Sequence, residues 1–267
     1  MARTKYVYGN FAWTGFDYRG ETGPTGWPAI SSHYGIFDIA GFPKVGTGYY
    51  KAWWRDLAKG SFGVSLSPDD WTAPTRLGKL IEVRVTTAAH SAELHLNGEL
   101  QAGGRKVMPL YSSLAWKVPF AKGNLTAVAF DASGAVVASH SVLSAGTPSR
   151  LRAFVATPYL HGRNASEITA DGQDVALITV ELLDADDVLV PNADLNITFS
   201  VHGPGVVLGT TNGDPACHVP ATSPRCPTFH GLLRAIVRSA ALGATGVITV
   251  HVDGEGLGAT QVSLRAV

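Results

Sequence analysis

From residue 80 onward the chain is built of short runs that alternate apolar and polar residues, each closed by turn formers. The runs include "IEVRVTTAA", "AELHLNGELQA", "LTAVAFDASGAVVASHSV", "ALITVELLDADDVLV", "NITFSV" and "GVITVHVDGEGLGATQVSL". Alternation with a period of two sends one row of side chains to a core and the other to solvent, so each run reads as a half-buried strand. Asn97-Gly98 lies between two such runs, and this pair accepts the two positive φ values of a tight hairpin turn. A second hairpin turns at Asp131–Gly134. Strands this short, joined in this way, pack as two antiparallel layers, which predicts immunoglobulin-like β-sandwiches. "SAGTPSR" interrupts the alternation with glycine and proline. It sets a boundary near Gly146–Ser149 between one module over 80–147 and another over 148–267. No segment repeats at a fixed solenoid period.

Residues 1–57 have a different texture. They hold four of the six tryptophans: Trp13, Trp27, Trp53 and Trp54. "TKYVYGNFAW" (4–13) reads as a buried strand, and "GTGYYKAWWRDLAK" as a helix that pairs Tyr49 with Trp53 and Tyr50 with Trp54 at i, i+4. One strand, a long loop and one helix do not make a domain with two faces to bury. Residues 58–79, rich in turn formers and nearly free of periodicity, read as a linker. Within "GNFAWTGFDYRGE" (9–21), Trp13, Phe16, Asp17, Tyr18 and Glu21 crowd together. Aromatic platforms beside carboxylates are the materials of a sugar pocket. Two carboxylates in a short loop also suit acid/base work, although loop acids ordinarily cap turns or meet solvent.

The 21 basic and 21 acidic residues cancel, and no basic stripe is present, so no nucleic-acid partner is expected. No apolar run reaches the ~20 residues of a membrane span, so no membrane partner is expected either. The start, "MARTKYVYGNFAWTG", has no apolar stretch of the signal-peptide kind, which leaves the compartment unassigned. No cofactor is expected.

"GNFAWTGFDYRGETGPTGWPAISSHYGIFDIAGFPKVGTGYYKAWW" resembles the closing segment of the catalytic (β/α)8 barrel of family 2 glycoside hydrolases, the β-galactosidase group. "HLNGEL" and "WKVPFAKGNLTAVAFDASGAVVASHSVLSAGTPSRLR" are similar to the immunoglobulin-like module after that barrel. "ITADGQDVALITVEL", "NGDPACH" and "FHGLLRAIV" resemble the last module, a bacterial immunoglobulin-like (invasin-like) sandwich. The resemblance implies a mostly β chain of two sandwiches, preceded by the last β/α unit of a TIM barrel over 1–57. It implies that Trp13 lines the pocket for the terminal sugar. Asp17, Tyr18 and His33 then lie on loops that reach the pocket rim, and His230 is structural.

Retaining glycosidases of this kind use two carboxyl groups about 5 Å apart. In the family both are glutamates on earlier barrel strands, and a whole barrel takes roughly 250 residues. The expectation is therefore a chain without either glutamate and inactive alone. It would be partnered by carbohydrate or by a separate chain carrying the rest of the barrel. The alternative is a non-catalytic accessory protein that binds carbohydrate or a partner through exposed rings such as Trp71, Tyr111 and Trp116. Cys217, His218, Cys226 and His230 share one loop, but their spacing lacks the paired knuckle of a structural zinc site, and no metal is expected. A disulfide between Cys217 and Cys226 and a pair of free thiols both remain open. Sequons occur at Asn124, Asn164 and Asn196 and need be no more than chance in a Ser/Thr-rich chain.

Overall fold

The computed structural model describes residues 6–9, 11–72, 77–156 and 166–267. The Asn164 sequon lies outside them. The chain divides into two compact units. The first gathers Met1–Phe16, Tyr34–Phe37 and Pro43–Ser144, and the second gathers Asp17–His33, Asp38–Phe42 and Ala145–Val267. Among the described residues no helix is long and apolar enough to cross a membrane.

The first unit is an antiparallel sandwich. One sheet has the order β1 (Val64–Ser67), β2 (Leu80–Thr87), β6 (Leu114–Pro119). The other has the order β4 (Glu99–Leu100), β3 (Ser91–Leu96), β7 (Asn124–Phe130), β8 (Val136–Leu143), with β5 (Lys106–Val107) also paired to β3. Strand β6 buries every second residue, Leu114, Trp116 and Val118. These meet Val83 and Val85 of β2 and Leu94, Leu125 and Ala127 of the facing sheet in one core. The β3–β4 hairpin turns at Asn97 (φ 52°) and Gly98 (φ 85°), as the Asn-Gly signal predicts. The Asn97 side chain adds two backbone hydrogen bonds. It accepts from Asn124 N at 2.8 Å and donates to Lys122 O at 3.0 Å. Within the stretch expected as a linker lie β1 and Trp71. The Trp71 ring is wholly buried, and its Nε1 donates to Ala121 O at 2.9 Å.

Residues 47–59 form the helix α1, with a π-helical middle over Lys51–Asp56 and a stop at Gly60 in the left-handed region (φ 63°). Its i, i+4 pairs divide the aromatic load. Trp53 and Ala52 enter the core of the sandwich, with Trp53 Nε1 donating to Ser112 O at 3.0 Å. Trp54, edge-on to Tyr50 at 4.8 Å, stays 58% exposed. The expected buried strand at 4–13 is corrected. Residues 6–9 and 11–13 lie in no strand, and Tyr6, Tyr8 and Phe11 are almost fully exposed. Strand-forming residues become a strand only where a neighbour supplies N–H and C=O partners in a continuous ladder, and none of the described sheets includes these residues.

The second unit is also a sandwich. One sheet orders β10 (Glu167–Ile168), β17 (Gly258–Ala266), β16 (Gly246–Gly254), β12 (Asn196–His202), β14 (Arg225–Pro227). The other orders β13 (Gly205–Thr211), β15 (Leu232–Ser239), β11 (Val175–Leu183), β9 (Arg150–Val155). "ALITVEL" and "NITFSV" both form strands of a two-sheet sandwich, as their alternation predicts, and they fall on opposite sheets. Between the sheets pack Ile178, Val180 and Leu182 of β11, Leu233 and Val237 of β15, and Ile197, Ile248 and Val250 of the facing sheet.

Three loops share one device: Asp38–Phe42, Asp131–Ala135 and Asp184–Val188. In each, one carboxylate oxygen of the leading Asp accepts from backbone N–H groups two and four residues on, at 2.8–2.9 Å. The residue three on takes positive φ: Gly41, Gly134 and, without a glycine, Asp187. Asp184 also accepts from Gly146 N at 2.6 Å. That bond, with those from Val188 and Asp186, outweighs burial and holds its carboxyl below the ordinary range. A depressed folded pKa contributes stability above the unfolded value and loses it as pH falls through the folded one. Asp184→Asn should therefore weaken the second unit by about 1–3 kcal/mol at pH 7, with the gap narrowing as pH falls below the ordinary Asp value of about 3.9. Urea midpoints of both proteins at pH 7 and pH 3 measure this, and a gap that is equal at the two pH values would refute the charge argument.

Candidate functional site

The segment 17–33 folds back on itself as a small hairpin within the second unit. Arg19 bridges Ser31, Gly20 N donates to Ile30 O at 2.9 Å, and Ser32 N donates to Tyr18 O at 2.8 Å. The Ser32 hydroxyl in turn accepts from Tyr18 N at 3.1 Å. This register sets Asp17 opposite His33, so three of the four expected site residues share one end of the hairpin. All three are half-buried. Glu21, the other acid of the loop, accepts the Tyr18 phenol hydrogen bond. An acid used in this way is a turn element, the plain reading of such loop acids.

The hairpin rests on the 214–218 loop of the same unit. Ile30 N donates to Pro215 O at 2.8 Å. His218 Nε2 meets Pro28 O at 2.9 Å, and because a carbonyl only accepts, Nε2 carries the proton. The Trp27 ring stands edge-on to His218 at 4.8 Å yet remains 80% exposed. Sequence reading did not single out Trp27 as a surface ring. The signal was there in "GPTGWPAI", where glycine and proline hold a tryptophan at a loop tip.

Residues 38–42 are anchored to β15. The Arg234 Nη1 donates to Ala40 O at 2.7 Å, and its guanidinium lies 4.4 Å from the centre of the buried Phe42 ring. Burial pushes the Asp38 carboxyl above its ordinary range. The N–H groups of Phe42 and Ala40 and the Arg234 charge act against that, while the Asp17 charge adds to it. Burial lowers Arg234 from its usual value, with the Asp38 charge opposing. The loop also fixes a glycine elsewhere: a Cβ at Gly213 would lie 1.9 Å from Asp38 Oδ2.

Trp13 belongs to the first unit and is 73% exposed. The chain beside it is held by Thr14 N to Tyr34 O at 3.2 Å and Ile36 N to Thr14 O at 2.9 Å, and Phe16 stacks on Phe37 at 5.3 Å. Of the rings expected to be exposed on the sandwich, only Tyr111 is. Trp71 and Trp116 are core residues, a correction with a simple cause. Trp116 occupies an inward position of alternating β6, and Trp71 packs into the same core.

The domain pattern described as "Glycoside hydrolase family 2 C-terminal domain 5" matches residues 163–263, and a domain of unknown function (DUF4982) matches residues 78–138. The chain is 34% identical over 263 residues, 98% of its length, to "Beta-galactosidase BoGH2A" of Bacteroides ovatus. This chain is a C-terminal portion of a family 2 glycoside hydrolase. It is also 30% identical over 222 residues, 80% of its length, to a "Putative beta-glucuronidase" of Formosa agariphila. Among solved structures, a β-glycosidase from Bacteroides vulgatus superposes with a TM-score of 0.81 at 28% identity over 94% of the chain. The family 2 chain spans 29% and 20% of the two curated relatives and 30% of that solved structure. The likeness to the first relative extends beyond both sandwiches, through the aromatic segment that carries Trp13, Asp17, Tyr18 and His33.

Proposed function

We propose that these residues form the carboxyl-terminal part of a retaining β-galactosidase- or β-glucuronidase-like glycoside hydrolase, with one wall of the sugar pocket and no part of the catalytic pair. The observation that carries this reading is identity to a β-galactosidase across 98% of the chain, the aromatic segment included. Trp13 presents an apolar ring to the C–H face of the terminal sugar. Asp17, Tyr18 and His33 offer hydroxyl-binding groups at the rim. The nucleophile and acid/base carboxylates, which must stand about 5 Å apart, belong to the larger share of such enzymes that these residues do not match.

Two measurements test this. The purified chain should give no detectable hydrolysis of 4-nitrophenyl β-galactoside or β-glucuronide. Grafted in place of the matching part of the Bacteroides ovatus relative, it should support that enzyme's activity, and Trp13→Ala in the graft should lower kcat/KM by about 10–100-fold. That range corresponds to loss of one large apolar contact, about 1.5–3 kcal/mol. Hydrolysis by the chain alone that disappears in Asp17→Ala or Glu21→Ala would overturn the reading.

A further inference from the structure

One cysteine lies in the loop on which the 17–33 hairpin rests, and a second lies on the strand β14 that follows it. Cys226 lies on β14, 2% exposed in the core of the second unit. Cys217 is half-buried against the same core at the end of a turn, its N–H donating to Asp214 O at 3.1 Å. Both are free thiols, and both side chains pack against the same core, near enough for each to act on the other. The residues on and beside Cys217 make the contacts that seat the hairpin. Pro215 O receives Ile30 N, His218 holds Pro28 and Trp27, and Cys217 O lies 3.5 Å from the Arg19 guanidinium.

We propose that Cys217 and Cys226 form a reversible disulfide that locks the 214–218 loop and, through it, the 17–33 hairpin. The oxidant is a small-molecule disulfide such as oxidised glutathione. Cys217, the more accessible sulfur, attacks one sulfur of the oxidant, forming a mixed disulfide and expelling one glutathione thiolate. Cys226 then gives up its proton and attacks Cys217 Sγ, expelling the second. The two thiol protons end on the two glutathione molecules, and the protein loses two hydrogens. Burial, and after it the neighbouring Cys217, pushes the Cys226 thiol up to about 12. Closure is therefore slow at neutral pH and faster in mild alkali. The bond ties a buried edge strand to the loop at its rim, so it acts on the hairpin's seat and leaves the core as it is.

The experiment equilibrates the whole chain with oxidised and reduced glutathione mixtures at pH 8, then labels remaining thiols with maleimide and weighs the protein. The expected result is loss of both labels together with no glutathione adduct. It should come with slower amide exchange across 17–33 and an unfolding midpoint of the second unit raised by roughly 5–10 °C. Cys217→Ser and Cys226→Ser should show neither change under the same treatment. Two thiols still labelled under full oxidation, or an adduct on Cys217 that never resolves, overturns the pairing. A disulfide that forms while exchange over 17–33 stays the same overturns the lock. No outcome depends on glycosidase activity, so failure here is separable from failure of the proposed function.

Discussion

Trp71→Ala should lower the unfolding midpoint of the first unit by about 10–25 °C, the largest loss expected from a single truncation in it. The ring is wholly buried, packs on Phe120 with centroids 4.9 Å apart, and donates its Nε1 hydrogen to Ala121 O. Truncating a buried tryptophan costs about 3–5 kcal/mol through lost burial and the cavity left behind. The Ala121 carbonyl, left without its donor, adds about 1 kcal/mol. A domain of this size holds only about 5–15 kcal/mol in all, and each kcal/mol moves the midpoint by a few degrees. Trp54→Ala is the control. That ring is 58% exposed, and its removal should cost well under half as much. Differential scanning calorimetry of the three proteins decides it. A Trp71→Ala shift no larger than that of Trp54→Ala would show that Trp71 is not part of the core.

Sequence alone reveals the Asn97-Gly98 and Asp131–Gly134 turns and the two-layered sandwich packing, because each depends on local chemistry or on a strict period of two. Asn and Gly accept positive φ wherever they stand, and a carboxylate caps the N–H groups next to it without help from afar. Trp71 and β1 are hidden in a stretch that looks like a linker because their burial comes entirely from tertiary partners, Phe120, Ala121 and Ser144 among them. The 4–13 segment shows the opposite failure. Its composition favours a strand, but a strand also needs a neighbour, and no local pattern records whether one is present. The candidate site divides along the same line. Resemblance proposes Trp13, Asp17, Tyr18 and His33 as candidates, whereas the seat made by Pro215 and His218 joins residues almost 200 positions apart in the chain. Arg234 on Ala40 is another such pairing, legible only once the fold is known.

Gly203→Ala should destabilise the second unit by about 3 kcal/mol or more, and it separates two costs that a glycine position usually confounds. Gly203 turns the chain out of β12 on one sheet toward β13 on the other, with φ 93°. A Cβ there would lie 2.1 Å from Val247 O, a backbone atom of β16 that its ladder with β17 holds in place. Gly256, in the β16–β17 turn, has a similar φ of 81° with nothing within 4 Å of the added carbon. Gly256→Ala therefore bears backbone strain alone, about 1–2 kcal/mol. Gly203→Ala bears that strain together with a collision that only movement of a central strand relieves, and overpacking of this kind costs about 1–3 kcal/mol more. Denaturant midpoints of the two variants give the difference directly. Equal losses would mean that strand β16 yields freely at Val247. In that case hydrogen exchange along Gly246–Gly254 should accelerate in Gly203→Ala and stay unchanged in Gly256→Ala.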